Sequence, residues 1–514
     1  MANHPKTDPL GRNINCLARP KPYLLPTGRP FCYFLYGAVQ NDPYLPMTLI
    51  QQIGRWFGKN PEQSADLRQA QGSVPNLAQQ LRAGGGNSMP AATGMFPRFK
   101  VNANDHFNAR ASDAFTRARM KLLEAFTPSQ PVSDRKRFAG RVDILTSLIR
   151  AIEEQRLHVV LFGARGLGKT SVLHVLAQAA QDARYLVVYV SCGSDSNFDE
   201  VFRTIAAGIP MLFHSTVGPT SPEVEQGKML SSVLPDTPIS ARIASDMLAK
   251  IVGTRVVVIL DEFDRCESPI FRRNIAELIK NLSDRMIRVQ LVIAGVAANL
   301  TQLLEHIPSI QRNIYPLQVP WMTTTEVRLL IKNGEERCGL RFDDMAVRAV
   351  SVAAHGSPYL ASLLSHHAGL NALDAERTAV GAPDAMEAIL IAVREFKGRL
   401  SNRAKVLLWQ LVRDGQIRAL GTLAGTSLVC GGPFRREDLR ASMASLDSIQ
   451  RCEELIPHLV ASEVLVESKQ EDVISYQYSE ESVAPYLWLL WMATHLREAK
   501  TNDMSVLLQT ASAE

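Results

Sequence analysis

The sequence predicts an α/β fold in which a parallel sheet is covered by helices on both faces, and three observations lead to it. Five short apolar runs, near 157–162, 185–190, 255–260, 288–294 and 314–319, contain few polar residues. Strands buried on both faces read this way, because neither face needs to meet water. Segments of helical periodicity separate these runs, as crossovers between parallel strands require. The stretch "VVLFGARGLGKTSVLHVL" from Val159 passes from an apolar run through three glycines into an amphipathic segment, the signature of a strand, a tight loop and a helix.

The chain is long enough for several domains, and its 46% hydrophobic and 21% charged residues suit a globular protein with a real core. Residues 1–112 form a first segment, rich in Pro, Gly, Asn and Gln, in which little periodicity survives. Residues 1–141 hold 19 Lys and Arg against 8 Asp and Glu, so the overall charge of +5 hides a basic N-terminal quarter. Such a balance allows contact with nucleic acid, an anionic surface or an acidic partner. Residues 113–323 form the α/β unit, opened by the periodic helix "DAFTRARMKLLEAF" and the breaker "TPSQPVSD". A helical stretch follows at 324–395. Residues 396–514 combine helices near 401–413, 434–445 and 449–461 with two short strands at Val464 and Val473, which suggests a winged-helix-like unit closed by an aromatic helix at 481–498.

Gly163, Gly168, Lys169 and Thr170 satisfy the pattern GxxxxGK[ST] between a strand and a helix. Glycines let the loop from Gly163 through Ala164, Arg165, Gly166 and Leu167 turn its amides toward a phosphate, and the helix start at Ser171 adds positive potential. Lys169 is placed for β and γ oxygens, and the Thr170 hydroxyl for Mg²⁺. Further on, "RVVVILDEFDR" sets Asp261 and Glu262 at the tip of a buried strand. Asp261 suits the magnesium shell, while Glu262 suits the activation of a water for attack on the γ-phosphate. Adjacent acids at a strand end can also cap the next helix. No guanine-selecting NKxD-like stretch occurs at a suitable place, so the expected cofactors are ATP and Mg²⁺.

With "RFAGR" at 137–141, "GARGLGKTS" at 163–171, "VVVILDEFDR" at 256–265 and "HGSPYL" at 355–360, the sequence resembles the AAA+/STAND P-loop ATPases, in the branch of archaeal origin-recognition initiators and prokaryotic STAND-type ATPases. The resemblance covers residues 135–370. It implies a P-loop NTPase with a covered parallel sheet, a helical lid over 324–395 and the winged-helix-like unit. It also implies base-side roles for Phe138, Gly140, Arg141 and Pro358, a γ-phosphate-reading role for Asn299, and for Arg312 insertion into a neighbour's site. The "GSP" at 356–358 departs from initiators, which carry a lid arginine there, and instead resembles the GxP of STAND proteins. That departure points to a switch driven by ATP and ADP, with slow hydrolysis and nucleotide-dependent self-association.

Two rival expectations stand beside it. One is a DNA-acting ATPase, weakened by 12 Lys and Arg against 13 Asp and Glu across 396–499. The other is a scaffold whose nucleotide is never turned over. Seven scattered cysteines without CxxC spacing exclude a zinc site of the usual spacing or a disulfide framework. No apolar run reaches the ~18–20 residues a membrane span needs. The polar, proline-broken start lacks the form of a secretion signal, which predicts a cytoplasmic location.

Overall fold

The five apolar runs become five strands of one sheet: β1 (His158–Gly163), β2 (Leu186–Ser191), β3 (Val256–Asp261), β4 (Val289–Val296) and β5 (Ile314–Gln318). In this computed structural model the described residues are 114–501, without 133–134, 136–137, 298–299, 301–302, 304–307, 443–445 and 471–472. The segment 1–112 and Asn299 therefore lie outside the described residues, as does Arg137 of "RFAGR". Strand order is β2-β3-β4-β1-β5. Every pairing is parallel, with Val159 opposite Val292 and Ser191 opposite Asp261.

Alternation along each strand divides the core in two. Val257 and Ile259 face one layer, with Leu148 of α1 (Val142–Glu153) and Leu173 of α2 (Lys169–Asp182). Val256, Val258 and Leu260 face the other, with residues of α3 (Phe198–Ala207), α4 (Ala241–Leu248) and α5 (Pro269–Asp284). Each such side chain, fully removed from water, contributes about 1.5–3 kcal/mol. Because all strands run the same way, the loops after β1, β3 and β4 open on one edge of the sheet.

Beyond β5, a capping box between Thr323 and Glu326 starts α6 (Thr324–Cys338), which is followed by α7 (Asp344–Ala354), α8 (Pro358–Asp374) and α9 (Ala382–Arg399). The helix expected to open the α/β unit, Ala114–Ala125, packs against this helical group instead. Two glycines decide it. A Cβ on Gly369 would lie 2.7 Å from Leu122, and one on Gly334 would lie 2.0 Å from the Phe126 ring. Each glycine leaves a socket for the N-terminal side chain, and Arg119 pairs with Asp374 beside them.

The C-terminal part contains α10 (Asn402–Arg413), α11 (Ile417–Cys430), α12 (Arg436–Ser442), α13 (Leu446–Ala461), the hairpin β6 (Leu465–Gln470) and β7 (Val473–Tyr478), and α14 (Val483–Thr501). A bridge from Phe434 to Tyr476 adds a third short strand position. The sequence reading missed α11, since its glycines and hydroxyl residues weaken helical propensity. Packing restores it: Trp491 fits over Gly421 and Trp488 over Gly425. The aromatic helix is buried, with Leu487, Leu489 and Met492 wholly enclosed. Among the described residues no helix is long and apolar enough to cross a membrane.

The socket geometry sets a stability expectation. Gly334→Ala improves helical propensity but forces a methyl into the Phe126 ring, and overpacking of this kind costs about 1–3 kcal/mol. Its urea midpoint is expected to fall, and Phe126→Leu in the same chain to restore part of the loss. A higher midpoint for Gly334→Ala alone would contradict the packing.

Candidate nucleotide-binding site

The loop after β1 turns through positive φ at Gly163, Gly166 and Gly168, at 149°, 78° and 78°. These values suit glycine, and a Cβ on Gly163 would meet the Val319 carbonyl at 2.9 Å. Among the described residues no backbone carbonyl accepts from the amides of 164–168. Gly168 at the N-cap gives α2 no side-chain cap. An uncapped helix start and a run of unengaged amides make an anion cradle.

Lys169 is buried at the first turn of α2, and its ammonium donates to the carbonyls of Gly163 at 2.9 Å and Ala164 at 2.8 Å. Burial pushes its pKa down to about 8, opposed by Asp264 and Asp261. One strand separates β1 from β3, so Thr170 and Asp261 meet: the hydroxyl donates to Oδ2 at 2.8 Å. Tyr189 on β2 donates to the same oxygen at 2.6 Å, and the amide of Glu262 to Oδ1 at 2.8 Å. Burial first, then the bond to Asp261, raises the Tyr189 pKa far above its ordinary value. Glu262 follows with a left-handed backbone, φ 55°, which turns its carboxylate toward Ser191 and Arg265, each 3.1 Å away.

A cavity of about 430 Å³ joins these groups. Arg165, Gly166, Gly168, Lys169, Thr170, Ser171, Asp261 and Glu262 line its phosphate end; Phe138 and Pro358 line it with Met322, Leu330 and Tyr359. The breaker "TPSQPV" runs along its wall, where the Val132 amide donates to Ser171 at 3.0 Å. Gly163, Ala164, Leu167 and Gly140 do not line it. Leu167 is core, and Gly140, at φ 65°, makes the turn beside Glu326.

Arg141 is buried and lines the cavity as well. Its guanidinium is buried under the loop, donating to the Leu167 carbonyl and to that of Pro320 at 3.1 Å, while its amide meets Glu326 at 3.0 Å. Burial lowers its pKa to about 10, partly offset by Glu326. Nε has no partner. Arg312 precedes β5, at the opposite end of the sheet from the loop, exposed and 3.7 Å from Asp284.

Sequence reasoning missed Tyr189, Ser191, Asp264 and Gly295. Asp264 Oδ1 accepts from the Val296 amide at 2.7 Å, and Gly295 leaves it room, since a Cβ there would lie 2.9 Å from that oxygen. The second aspartate of "DEFDR" and the glycine ending "LVIAG" were the available signals.

The residues fit a magnesium-bound polyphosphate. A hydroxyl and one carboxylate are the modest donor set this ion takes when phosphates and waters complete its shell. Among the described residues no cluster of three or more metal-ligating side chains offers a complete cage.

The depressed Lys169 pKa fixes the sign of a pH effect. A bound phosphate favours the ammonium and raises the value again, so binding takes up a proton between the two values. Affinity for a polyphosphate is expected to fall as pH rises above about 8, by up to tenfold per unit. Lys169→Arg, which stays charged, is expected to flatten the dependence. Fluorescence titration between about pH 7.5 and 9.5 checks it, and an unchanged slope in the variant would refute it.

A family model described as Novel STAND NTPase 1 matches residues 122–482. Among solved structures the chain is similar to the RuvB Holliday junction branch migration motor of Thermotoga maritima, at 14% identity and TM-score 0.35, over 67% of this chain and 94% of that one. It is similar to Cdc6p from Pyrobaculum aerophilum at 14% identity and TM-score 0.40, over 73% and 98%. The Orc1 protein of Aeropyrum pernix, in complex with DNA, is similar at 17% identity and TM-score 0.38, over 72% and 95%. No curated protein matches. The family match spans well over half of the chain, from the helix before the cavity through both acids to the hairpin, and the chain belongs to the Novel STAND NTPase 1 family of STAND-type NTPases.

Proposed function

We propose that the protein is a Mg²⁺-dependent ATPase of slow turnover that works as a switch, in which ATP and ADP set its assembly or its engagement of a partner. One observation carries this reading: the C-terminal part rests on the phosphate loop itself. Arg165 pairs with Glu481 at 2.5 Å, and a Cβ on Gly431 would lie 2.8 Å from Ala164. Close by, Trp321 donates to the Val429 carbonyl at 2.9 Å. A change in the loop on binding phosphate therefore acts directly on the ends of α11 and α14.

Within this reading Lys169 and the loop amides hold the phosphates, and Thr170 with Asp261 would hold the ion. Bound magnesium neutralises charge on the β- and γ-phosphates. Glu262 orients a water and takes its proton, and Tyr189 keeps Asp261 in place. Phe138, Pro358 and Tyr359 supply surfaces for the base. Asn299 and Arg312 remain candidates for reading the γ-phosphate and for completing a neighbour's site. The domain limits proposed from sequence are kept, except that the helix Ala114–Ala125 joins the lid.

The rival reading, DNA binding through the winged-helix-like unit, gains little support. Arg440 pairs with Glu453 at 2.9 Å, and Arg436 lies 3.3 Å from the Tyr476 hydroxyl, so two arginines of that unit are engaged inside it.

Lys169→Ala is expected to weaken ATP binding by about 100-fold or more, the loss of charge-assisted bonds to phosphate. Glu262→Gln should keep binding and lower turnover by about 10²–10⁴. Equal affinity in the wild type and the Lys169 variant would refute the site.

For the switch, hydrogen exchange at 425–435 and 480–485 is expected to be faster with ATP than with ADP, accompanied by a larger species on size-exclusion chromatography. Identical exchange and size in both nucleotides would reject it.

A further inference from the structure

We infer that Arg265 makes this site distinguish ATP from ADP, by exchanging its bond to Glu262 for one to the terminal phosphate. The inference rests on the nucleotide reading above and adds a residue to it. Arg265 closes a short 3₁₀ turn, Phe263–Arg265, whose root is fixed. Phe263 is wholly buried, Asp264 Oδ1 holds the Val296 amide at 2.7 Å, and the Arg265 amide donates to the Glu262 carbonyl at 3.0 Å. The guanidinium, by contrast, is 53% exposed on the cavity wall and pairs with Glu262 Oε2 at 3.1 Å. Its anchor is rigid and its head can turn.

The other cations of the cavity are differently placed. Lys169 is held by two loop carbonyls, Arg141 lies under the loop, and Arg165 reaches outward to Glu481. Arg265 pairs with the second of the two acids and lines the same cavity as Thr170 and Asp261, which in the nucleotide reading face the γ end of a triphosphate. An exposed ion pair such as Arg265–Glu262 is weak, whereas a guanidinium–phosphate contact in a partly enclosed site is among the stronger polar interactions. A terminal phosphate therefore draws Arg265 away from Glu262. The exchange relieves Oε2 of one of its two donors, leaving Ser191, and so readies the carboxylate for its water only when a third phosphate is present. ADP, which lacks that phosphate, leaves the pair intact.

The test is equilibrium binding of fluorescent ATP and ADP to the full chain in Mg²⁺, for the wild type, Arg265→Ala, Arg265→Lys, Glu262→Gln and the double variant Glu262→Gln/Arg265→Ala. Arg265→Ala is expected to weaken ATP about tenfold and ADP less than about twofold, with Lys restoring part of the difference. Glu262→Gln should tighten ATP relative to ADP while Arg265 is present, and the double variant should lose that gain. Retained ADP binding shows that the variants are folded. Equal shifts for ATP and ADP in Arg265→Ala, no shift in either, or the same Glu262→Gln gain in both backgrounds would overturn the role of Arg265. A wild type that binds neither nucleotide would instead overturn the nucleotide reading beneath it.

Discussion

A single hydrogen bond, 2.8 Å from the Thr170 hydroxyl to Asp261, marks the constraint on which the site depends. It exists because β1 and β3 run parallel with only β4 between them, so the loop of one and the acids of the other emerge on the same edge. Tyr189 on β2 completes the stitch by sharing the Asp261 oxygen. Three strands thus converge on one carboxylate. A slip of one residue in β3 would turn Asp261 to the opposite face and separate it from both hydroxyls.

The same edge concentrates buried positive charge. Lys169 and Arg141 both have pKa values depressed by burial, and both satisfy themselves on backbone carbonyls. Buried cations held by weak neutral acceptors are better satisfied by an anion, and the loop amides add donors without partners of their own. The site is thereby prepared for phosphate by what its charges lack.

Around this edge, close approach of backbone is the recurring device. Gly334 and Gly369 admit Phe126 and Leu122, Gly421 and Gly425 admit Trp491 and Trp488, and Gly431 admits Ala164. Residues 320–322 are bonded from three directions: by Arg141 to Pro320, by Trp321 to Val429, and by the Met322 amide to Gly356, at 2.9 Å. The sheet, the lid and the C-terminal part thus meet at three consecutive residues next to the cavity.

By itself the sequence determined the five strands, the glycine-rich loop, the paired acids and the aromatic helix. These depend on local pattern: continuous apolar runs, glycines at fixed spacing, and acids directly after a strand. It left α11 unread, since residues 417–430 combine two glycines with threonine and serine, and only the two tryptophans of α14 make those glycines useful. It assigned the helix Ala114–Ala125 to the wrong neighbour because its apolar face does not name its partner. The burial of Arg141 under the loop, with a left-handed backbone, was likewise not legible in the sequence. Tyr189, Ser191, Asp264 and Arg265 acquire meaning only through strand order and the turn after β3, and contacts between strands distant in sequence are set by the folded chain.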